Sequence, residues 1–346
     1  MKKFYAFFAV VIVLNIIFLF LGNKPEIKNA STGDKPKLRV GLVFDVGGRG
    51  DKSFNDSAYN GLQRAIKNLG IEAQYVEPGE GSDRSSALNR LAAQNFDLII
   101  GIGFIFTDDI TNVAKKHPER KFAGVDFVVN QDKDGKDIPP PSNVAALKFK
   151  EEEGSYMAGA LAALKTKTNK IGFIGGMDIP LIHKFESGYK SGAKMINPNI
   201  EVISNYAGVT GAAFKDPAKG KELATSQYNN GVDIIYHASG STGLGVFEAA
   251  RNLKKLAIGV DSDQYSEAPG FILSSMVKKV DVAIYDIIKD TIDGKFSGGA
   301  KIFGLKQGGV SLIYDEHNKA LIGDTVHKKL EEINNKINNG LIKVTL

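Results

Sequence analysis

The sequence predicts an α/β protein built from two lobes. Short apolar runs recur along the 346 residues and alternate with segments whose apolar residues have helical spacing. Because the runs are almost continuously apolar, we expect parallel strands that are covered by helices on both faces. Ten runs are too many for one ordinary doubly wound sheet, so we predict two sheets with a cleft between them. A single eight-stranded barrel is the alternative fold.

The predicted elements alternate regularly along the chain. Helical spacing is clearest at 58–69, at 156–164 and at 326–337, and a glycine ends the first and the last of these segments. A polar stretch at 129–143, which contains three consecutive prolines, divides the apolar runs into two groups. The predicted strands cover residues 38–44, 71–76, 96–102, 121–125, 144–149, 170–174, 202–205, 232–236, 256–260 and 271–276.

The amino terminus predicts an export signal or a single membrane anchor. Lys2 and Lys3 precede an apolar run at 4–21 that only Asn15 interrupts. We favour an uncleaved anchor, because the run is long for a signal core and the candidate cleavage site fits poorly. The polar residues at 22–37 then form a tether. The body is therefore expected to leave the cytoplasm.

Composition excludes several kinds of chemistry. The chain has no cysteine, which removes disulfides, thiol nucleophiles, iron–sulfur clusters and a lipid-modified cysteine. Of the formal charge of +5, the first 30 residues supply +3 with four Lys and one Glu, so +2 remains for the body. So small a charge gives no reason to expect a nucleic acid partner.

The sequence contains no recognisable catalytic motif. Its five histidines have no metal-binding spacing, and there is no Gly-x-Ser-x-Gly nucleophile elbow. We therefore predict no catalytic residue, no metal and no cofactor, and we expect a binding protein.

The loop that follows the first predicted strand is the first candidate binding segment. Ligands of open α/β sheets bind beyond the carboxyl ends of the strands. Residues 45–56 are rich in glycine and polar groups and lead directly into a helix, whose start offers free N–H groups. The loop is not a phosphate-binding P-loop, because Asp51 separates Gly50 from Lys52.

Five motifs in matching order, within residues 38–315, carry a family resemblance. The chain resembles the basic membrane protein family of ABC-transporter substrate-binding proteins, and within it the purine nucleoside receptors. The motifs are Asp45-x-Gly47-Gly48-x-x-Asp51-x-Ser53-Phe54-Asn55, Gly124-Val125-Asp126, Phe185-Glu186-x-Gly188, Gly259-Val260-Asp261-x-Asp263-Gln264 and Ser274-Ser275-Met276-Val277-Lys278.

The resemblance implies a periplasmic-binding-protein fold of type I, with two lobes joined by three crossings of the chain. We place the amino-terminal lobe at 38–145 with about 260–305, and the carboxy-terminal lobe at 146–259 with about 306–346. Members of the family are usually lipoproteins that are anchored through a cysteine. This chain has none, so the apolar segment is the expected tether.

The resemblance also implies a purine nucleoside in the cleft, stacked between two phenyl rings. It assigns Phe54 of one lobe and Phe185 of the other to the two faces of the base. The structural alternative for each residue is an ordinary place in the core or beside a helix start.

Polar residues of the motifs are matched to the edges of the ligand. Carboxylates bind hydroxyl and N–H groups through strong charge-assisted hydrogen bonds. Asp45, Asn55 and Asp126 are assigned to the purine, and Asp261 with Lys278 to the ribose. A structural ion pair between Asp261 and Lys278 is the alternative.

Three further positions are weaker candidates. Gly240 follows the strand at 232–236 and is predicted to present its backbone to the sugar, with an ordinary strand-to-helix turn as the alternative. Ser53 and Asp56 are ligand candidates that equally fit helix capping.

The predicted function is capture of purine nucleosides, namely adenosine, guanosine or inosine, for an ABC permease in the inner membrane. We expect a monomer that prefers nucleosides to free bases. Ribose or another small sugar-like signal is the alternative ligand, a nucleoside sensor is the alternative role, and a nucleoside hydrolase or phosphorylase is the enzymatic alternative. The expected location is the cell envelope, on the periplasmic, extracytoplasmic face of the inner membrane, with the protein anchored or secreted.

Overall fold

Two six-stranded sheets organise the residues that the structure describes. This structure is a computed structural model, and it describes residues 37–77, 84–134 and 136–345. The predicted membrane helix at 4–21 lies outside the described residues. Within the described part, no helix is both long and apolar enough to cross a membrane.

The first sheet has the strand order β11-β5-β4-β3-β1-β2 and is parallel throughout. The second has the order β12-β10-β9-β8-β6-β7, in which only β12 is antiparallel. The predicted pair of parallel sheets is thus confirmed, and the single barrel is wrong. The strands are β1 Arg39–Val43, β2 Glu72–Val76, β3 Leu98–Ile102, β4 Lys121–Val125, β5 Val144–Phe149, β6 Lys170–Met177, β7 Glu201–Gly208, β8 Ile234–Ala238, β9 Leu256–Asp261, β10 Ile272–Lys278, β11 Gly299–Phe303 and β12 Val310–Leu312.

Helices cover the sheets because the central strands are apolar on both faces. All five residues of β3 and of β8 are buried, whereas the edge strand β2 is partly exposed. The helices are α1 Phe54–Leu69, α2 Arg84–Ala93, α3 Thr107–Lys116, α4 Glu151–Lys165, α5 Pro180–Ile196, α6 Pro217–Asn229, α7 Gly243–Leu253, α8 Val280–Ile292, α9 Lys319–Ile322 and α10 Asp324–Asn338.

The chain passes between the two lobes three times. It crosses at Lys150 between β5 and α4, at Lys279 between β10 and α8, and at 304–309 between β11 and β12. Backbone hydrogen bonds join neighbouring crossings, since Lys150 N–H donates to Phe303 O and Lys279 N–H donates to Gly309 O. The three crossings therefore lie side by side at one edge of each sheet.

The predicted lobe boundary near residue 260 is wrong for part of the segment 260–305. Strands β9 and β10 belong to the second sheet, and the chain returns to the first lobe only after β10. Helix α8 then packs on α1, where the Arg64 guanidinium binds the Asp281 carboxylate at 3.0 Å. Because β9 and β10 pair with each other in the second sheet, the chain re-enters the amino-terminal lobe only at about residue 280.

Candidate ligand-binding cleft

A cavity with about 600 Å³ of space lies between the lobes, where the carboxyl ends of the parallel strands face each other. Its wall comes from the loops after β1, β3, β4, β7 and β8, from the ends of β8, β9 and β10, and from helices α1 and α5. The described wall residues are Asp45, Gly47, Asp51, Phe54, Asn55, Gly103, Phe104, Asp126, Leu181, Ile182, Phe185, Phe214, Ala238, Ser239, Gly240, Val260, Asp261 and Lys278.

All eight main candidates from the sequence lie in this wall. They come from loops up to 233 residues apart, which the two sheets bring to one cavity. The two weaker candidates, Ser53 and Asp56, lie outside the wall that the described residues form. The main candidates are Asp45, Phe54, Asn55, Asp126, Phe185, Gly240, Asp261 and Lys278.

Asp56 orders the loop instead of facing the cavity. Its carboxylate accepts hydrogen bonds from the backbone N–H groups of Gly50 at 2.7 Å and Lys52 at 3.0 Å. Lys52 has φ 56°, a left-handed conformation that this pair of bonds supports. Asp56 therefore stabilises the β1–α1 loop, a structural role related to the capping alternative.

Asp51 is the buried centre of the same loop. Its Oδ1 accepts from the N–H of Ser53 at 2.9 Å and of Asp56 at 3.1 Å, and its Oδ2 accepts from Asn55 N–H at 2.8 Å. Burial raises the pKa of the Asp51 carboxyl, against the opposing effect of these hydrogen bonds. Sequence reasoning missed this role, although Asp51 stands inside the first motif and precedes a helix start by three residues.

Asn55 has its amide orientation fixed from both sides. Its Nδ2 donates to Asp51 Oδ2 at 3.0 Å, and its Oδ1 accepts from Asp45 N–H at 3.2 Å. One N–H and one lone pair of the amide remain beyond these two bonds. Asn55 can therefore offer a ligand both a donor and an acceptor from one rigid position.

Asp45 lies against the backbone of the loop that follows β3. Its Oδ1 accepts from Val46 N–H at 2.6 Å. A Cβ at Gly103, which has φ 107°, would lie 2.6 Å from Asp45 Oδ2, so the site needs glycine there. Burial raises the pKa of the Asp45 carboxyl to about 6.

Lys278 carries a buried ammonium group between two carboxylates. Its Nζ lies 2.6 Å from Asp126 Oδ2 and 3.7 Å from Glu151 Oε1. Both carboxylates belong to segments next to the lobe boundary, since Asp126 follows β4 and Glu151 begins α4. The alternative of an ion pair between Lys278 and Asp261 is therefore wrong: the close partners of Lys278 among the described residues are Asp126 and Glu151.

The second oxygens of these two carboxylates are notable for their lack of partners. Within the described residues, neither Asp126 Oδ1 nor Glu151 Oε2 has a hydrogen-bond partner, and both atoms are buried. Burial raises the pKa of Glu151 to about 7 despite the opposing charge of Lys278. Buried acceptors normally have a donor, so these atoms are candidates for contact with a ligand or water.

Three phenyl rings surround the same ammonium. Lys278 Nζ lies 4.8 Å from the ring centroid of Phe54, 5.2 Å from that of Phe149 and 5.7 Å from that of Phe185. Since the first and last of these distances share one atom, the Phe54 and Phe185 centroids lie no more than 10.5 Å apart. Phe54 and Phe185, the two predicted stacking residues, thus lie near the Lys278 ammonium, one in each lobe.

Two aspartates occupy matching positions in the two lobes. Asp126 and Asp261 each follow Gly-Val at the end of a parallel strand, β4 in the first sheet and β9 in the second. Their φ angles of 57° and 65° are left-handed, a conformation that is uncommon for residues other than glycine.

Asp261 is linked to the first lobe rather than to Lys278. Its Oδ2 accepts a hydrogen bond of 2.6 Å from the Ser53 hydroxyl. Burial raises the pKa of the Asp261 carboxyl to about 6, with Lys278 and Ser53 acting in the opposite direction. Ser53, one of the weaker ligand candidates, therefore contacts a wall residue and not the cavity itself.

Gly240 and His237 complete the second lobe's side of the cleft. Gly240 has φ 56°, and a Cβ there would lie 2.9 Å from Phe214 O. His237 is fully buried behind the wall, where it hydrogen-bonds to Ser239 and Gln264, and burial lowers its pKa to about 4. In the described part of the chain, no group of three or more His, Asp or Glu side chains is arranged to hold a metal ion.

The cleft and fold can be compared with known proteins. The family model for PnrA-like ABC transporter substrate-binding proteins (Bmp) matches residues 38–345. The ABC transporter nucleoside-binding protein BmpA of Lactococcus lactis subsp. cremoris (strain MG1363) is 38% identical over 325 residues, which cover 88% of this chain and 89% of that protein.

Two more similarities support the same grouping. A lipoprotein of Pyrococcus abyssi (strain GE5 / Orsay) is 34% identical over 314 residues, covering 87% of this chain and 74% of that protein. The crystal structure of an ABC transporter solute-binding protein from Aeropyrum pernix K1 matches with a TM-score of 0.78 and 31% identity, covering 89% of this chain and 93% of that one. The two parallel-sheet lobes are thus those of the periplasmic-binding-protein fold.

The match extends over nearly all of the described chain and includes every strand that forms the cleft. Proteins of this group bind substrates for a transporter and are not enzymes. The chain therefore belongs to the family of PnrA-like ABC transporter substrate-binding proteins.

Proposed function

We propose that this protein captures purine nucleosides in the cleft between its lobes and delivers them to an ABC permease. The observation that carries the proposal is the pair of phenyl rings, Phe54 and Phe185. They lie in opposite lobes near the Lys278 ammonium, and the same cavity wall contains several carboxylates. A nucleoside offers a flat aromatic base, edge donors and sugar hydroxyls, which are the groups that such a wall can bind. The name of the Lactococcus lactis relative, a nucleoside-binding protein, supports the ligand class.

The base is proposed to lie between the two rings. A stacked base needs roughly 7 to 8 Å between ring planes, which is two van der Waals gaps, and the upper bound of 10.5 Å between the centroids is compatible with it. Asn55, with one amide hydrogen and one lone pair free, and the carboxylate of Asp45 would then bind the polar edge of the purine.

Asp126 joins this group through its buried Oδ1, which has no partner among the described residues. A purine N–H would satisfy this acceptor and remove the cost of leaving it unpaired. Its other oxygen is bound to Lys278 at 2.6 Å, so the carboxylate is held in place while it accepts from the base.

The ribose is proposed to bind Asp261 and Lys278. The Lys278 ammonium has three N–H donors, and its short bond to Asp126 uses only one of them. A free base leaves without a ligand partner the hydrogen-bonding capacity that Asp126 and Ser53 do not use, and unpaired buried polar groups are costly. The cleft should therefore prefer nucleosides to free bases. Gly240 would present its backbone to the sugar from the second lobe.

The partner follows from the family, whose members serve ABC transporters. We propose an extracytoplasmic, membrane-associated location for this chain, as for lipoprotein relatives, but with the apolar segment at 4–21 as the tether, because the chain has no cysteine to carry a lipid.

A ligand panel tests the proposal. Thermal unfolding should be followed with adenosine, guanosine, inosine, uridine, ribose and hypoxanthine, since ligand at 100 times its dissociation constant adds about 2.7 kcal/mol to the native state. We expect the purine nucleosides to raise the unfolding temperature most. Equal shifts with ribose and inosine would indicate a sugar-binding protein, and equal shifts with hypoxanthine and inosine would remove the proposed ribose contacts.

A further inference from the structure

Three side-chain hydrogen bonds of 3.1 Å or less join the β1–α1 loop of the first lobe to the end of β9 and the residues after it in the second lobe, beside the cavity. The Ser53 hydroxyl donates to Asp261 Oδ2 at 2.6 Å, and the Ser262 hydroxyl donates to the backbone oxygen of Ser53 at 3.1 Å. Gln264 Nε2 donates to the backbone oxygen of Lys52 at 3.0 Å. Lys52 and Ser53 belong to the β1–α1 loop of the first lobe, whereas Asp261 ends β9 in the second lobe and Ser262 and Gln264 follow it. We call these five residues the interlobe clasp.

The clasp is buried at its centre, whereas Lys52 is exposed and Ser262 half-buried at its margin. Ser53 is fully buried, Gln264 is 1% exposed and Asp261 is 7% exposed. A hydrogen bond between a hydroxyl and a carboxylate is short and strong, and water competes poorly for it at a buried position. The contact between Ser53 and Asp261 is therefore the strongest of the three.

The second-lobe side of the clasp is rigid. Gln264 Oε1 accepts from Val260 N–H at 2.8 Å and lies 3.2 Å from His237 Nε2. Gln264 N–H donates to the Ser275 hydroxyl at 3.1 Å. With its amide oriented in this way, Gln264 can direct Nε2 only toward the first lobe.

Asp261 both contacts the opposite lobe and lines the cavity. Oδ2 is taken by Ser53, while Asp261 also lines the cavity wall. Both the φ angle of 65° and the Ser53 bond restrict the direction of the carboxylate. An arrangement of this kind makes the position of a ligand-facing group depend on how close the opposite lobe lies.

We propose that the interlobe clasp holds the lobes together around the bound ligand and that Ser53 is a positioning residue, which acts on the ligand through Asp261. The part that concerns the ligand rests on the proposed function. Closure brings Ser53 to Asp261, and Asp261 then presents Oδ1 to the ligand. By linkage, ligand binding favours closure to the same degree that closure favours binding.

Ser53→Ala tests the clasp. The substitution removes the hydroxyl but keeps the backbone bond from Ser53 N–H to Asp51. We expect ligand dissociation to accelerate about 10- to 100-fold, as for loss of a hydrogen bond to a charged group, with little change in the association rate. Stopped-flow binding of inosine separates the two rates. Ser57→Ala is the matched control, since Ser57 is a buried serine one turn along α1 that contacts α8 in the same lobe.

A distance measurement tests the clasp without a ligand. The chain has no native cysteine, so Lys116→Cys in α3 and Asn252→Cys in α7 can carry one spin label in each lobe. Ser53→Ala, or Ser262→Ala if the first variant fails to fold, should shift the ligand-free distance distribution to longer values. If wild type binds none of the nucleosides, the proposed function fails, and the distances alone decide the clasp. Unchanged distances together with unchanged dissociation would overturn it.

Discussion

The buried Asp261 carboxyl destabilises the fold when it ionises, although the same group is proposed to bind the ligand. Burial raises the pKa of its carboxyl from 3.8 to about 6, so the folded protein favours the protonated form. The stability that this group contributes is fully present below about pH 3.8 and is lost as the pH rises through about 6.

Asp261→Asn should therefore stabilise the ligand-free protein at neutral and alkaline pH, because it removes the ionisation of a buried group. We expect the free energy of unfolding to rise by about 1 to 3 kcal/mol near pH 8, with no gain near pH 4. Urea denaturation at both pH values measures the difference. Asp263→Asn is the control, since Asp263 is exposed and should change stability by less than about 0.5 kcal/mol. A gain of the same size at both pH values would contradict the account.

Phe185 is predicted to contribute a ring face rather than apolar volume. Phe185→Leu keeps a large apolar side chain but loses the face, and we expect inosine affinity to fall about 10- to 100-fold, as for other base–aromatic stacks. Phe185→Tyr keeps the face and should retain most of the affinity. Calorimetric titration of both variants checks this, and equal affinities for the leucine and tyrosine variants would exclude stacking.

At the scale of residues, the motifs predicted which side chains meet but not how they pair. Asp45, Asn55, Asp126 and Asp261 all lie in the cavity wall. Sequence spacing gave no means to see that Lys278 binds Asp126, because partner choice depends on which strand ends are neighbours across two lobes. Their contact with a ligand stays a prediction.

The β1–α1 loop is the element on which the first lobe's side of the site depends. Asp51 accepts three backbone N–H groups of this loop and also holds Asn55 Nδ2. Asp51→Ala should destabilise the protein by about 1 to 3 kcal/mol and weaken inosine binding, because Asn55 loses its orientation.

Asp56→Ala is the matched comparison in the same loop. Asp56 also accepts two backbone N–H groups, but it makes no contact with Asn55 that would set the direction of the amide. We expect a smaller loss of stability and near-normal affinity, measured by denaturation and calorimetry. Equal loss of affinity in both variants would show that affinity depends on the order of the loop in general, and would contradict a specific role of Asp51 in orienting Asn55.

At the scale of elements, strongly apolar strands were predictable and the weak ones were not. All ten predicted runs overlap observed strands, since buried parallel strands have a clear composition. Strands β11 and β12 were not predicted because they are short and partly exposed. Their extended conformation depends on the neighbouring crossings of the chain, which a local pattern does not contain. The place of β9 and β10 in the second sheet was missed because strand order is a long-range property that local patterns do not contain.

For the whole molecule, the account joins fold and ligand through one arrangement: two sheets whose carboxyl ends face each other across a cavity of about 600 Å³. Each lobe supplies one of the two proposed stacking rings, Phe54 or Phe185, and one strand-end aspartate with a left-handed φ angle. In this arrangement each lobe offers one face of the proposed stacking site. Binding and lobe closure should therefore be one event.

The most direct test of the central claim is a crystal structure of the protein with bound inosine. The account predicts the purine between the rings of Phe54 and Phe185, with ribose hydroxyls within hydrogen-bonding distance of Asp261 and Lys278. Inosine bound with either ring turned away from the base, or bound outside the cleft, would contradict it.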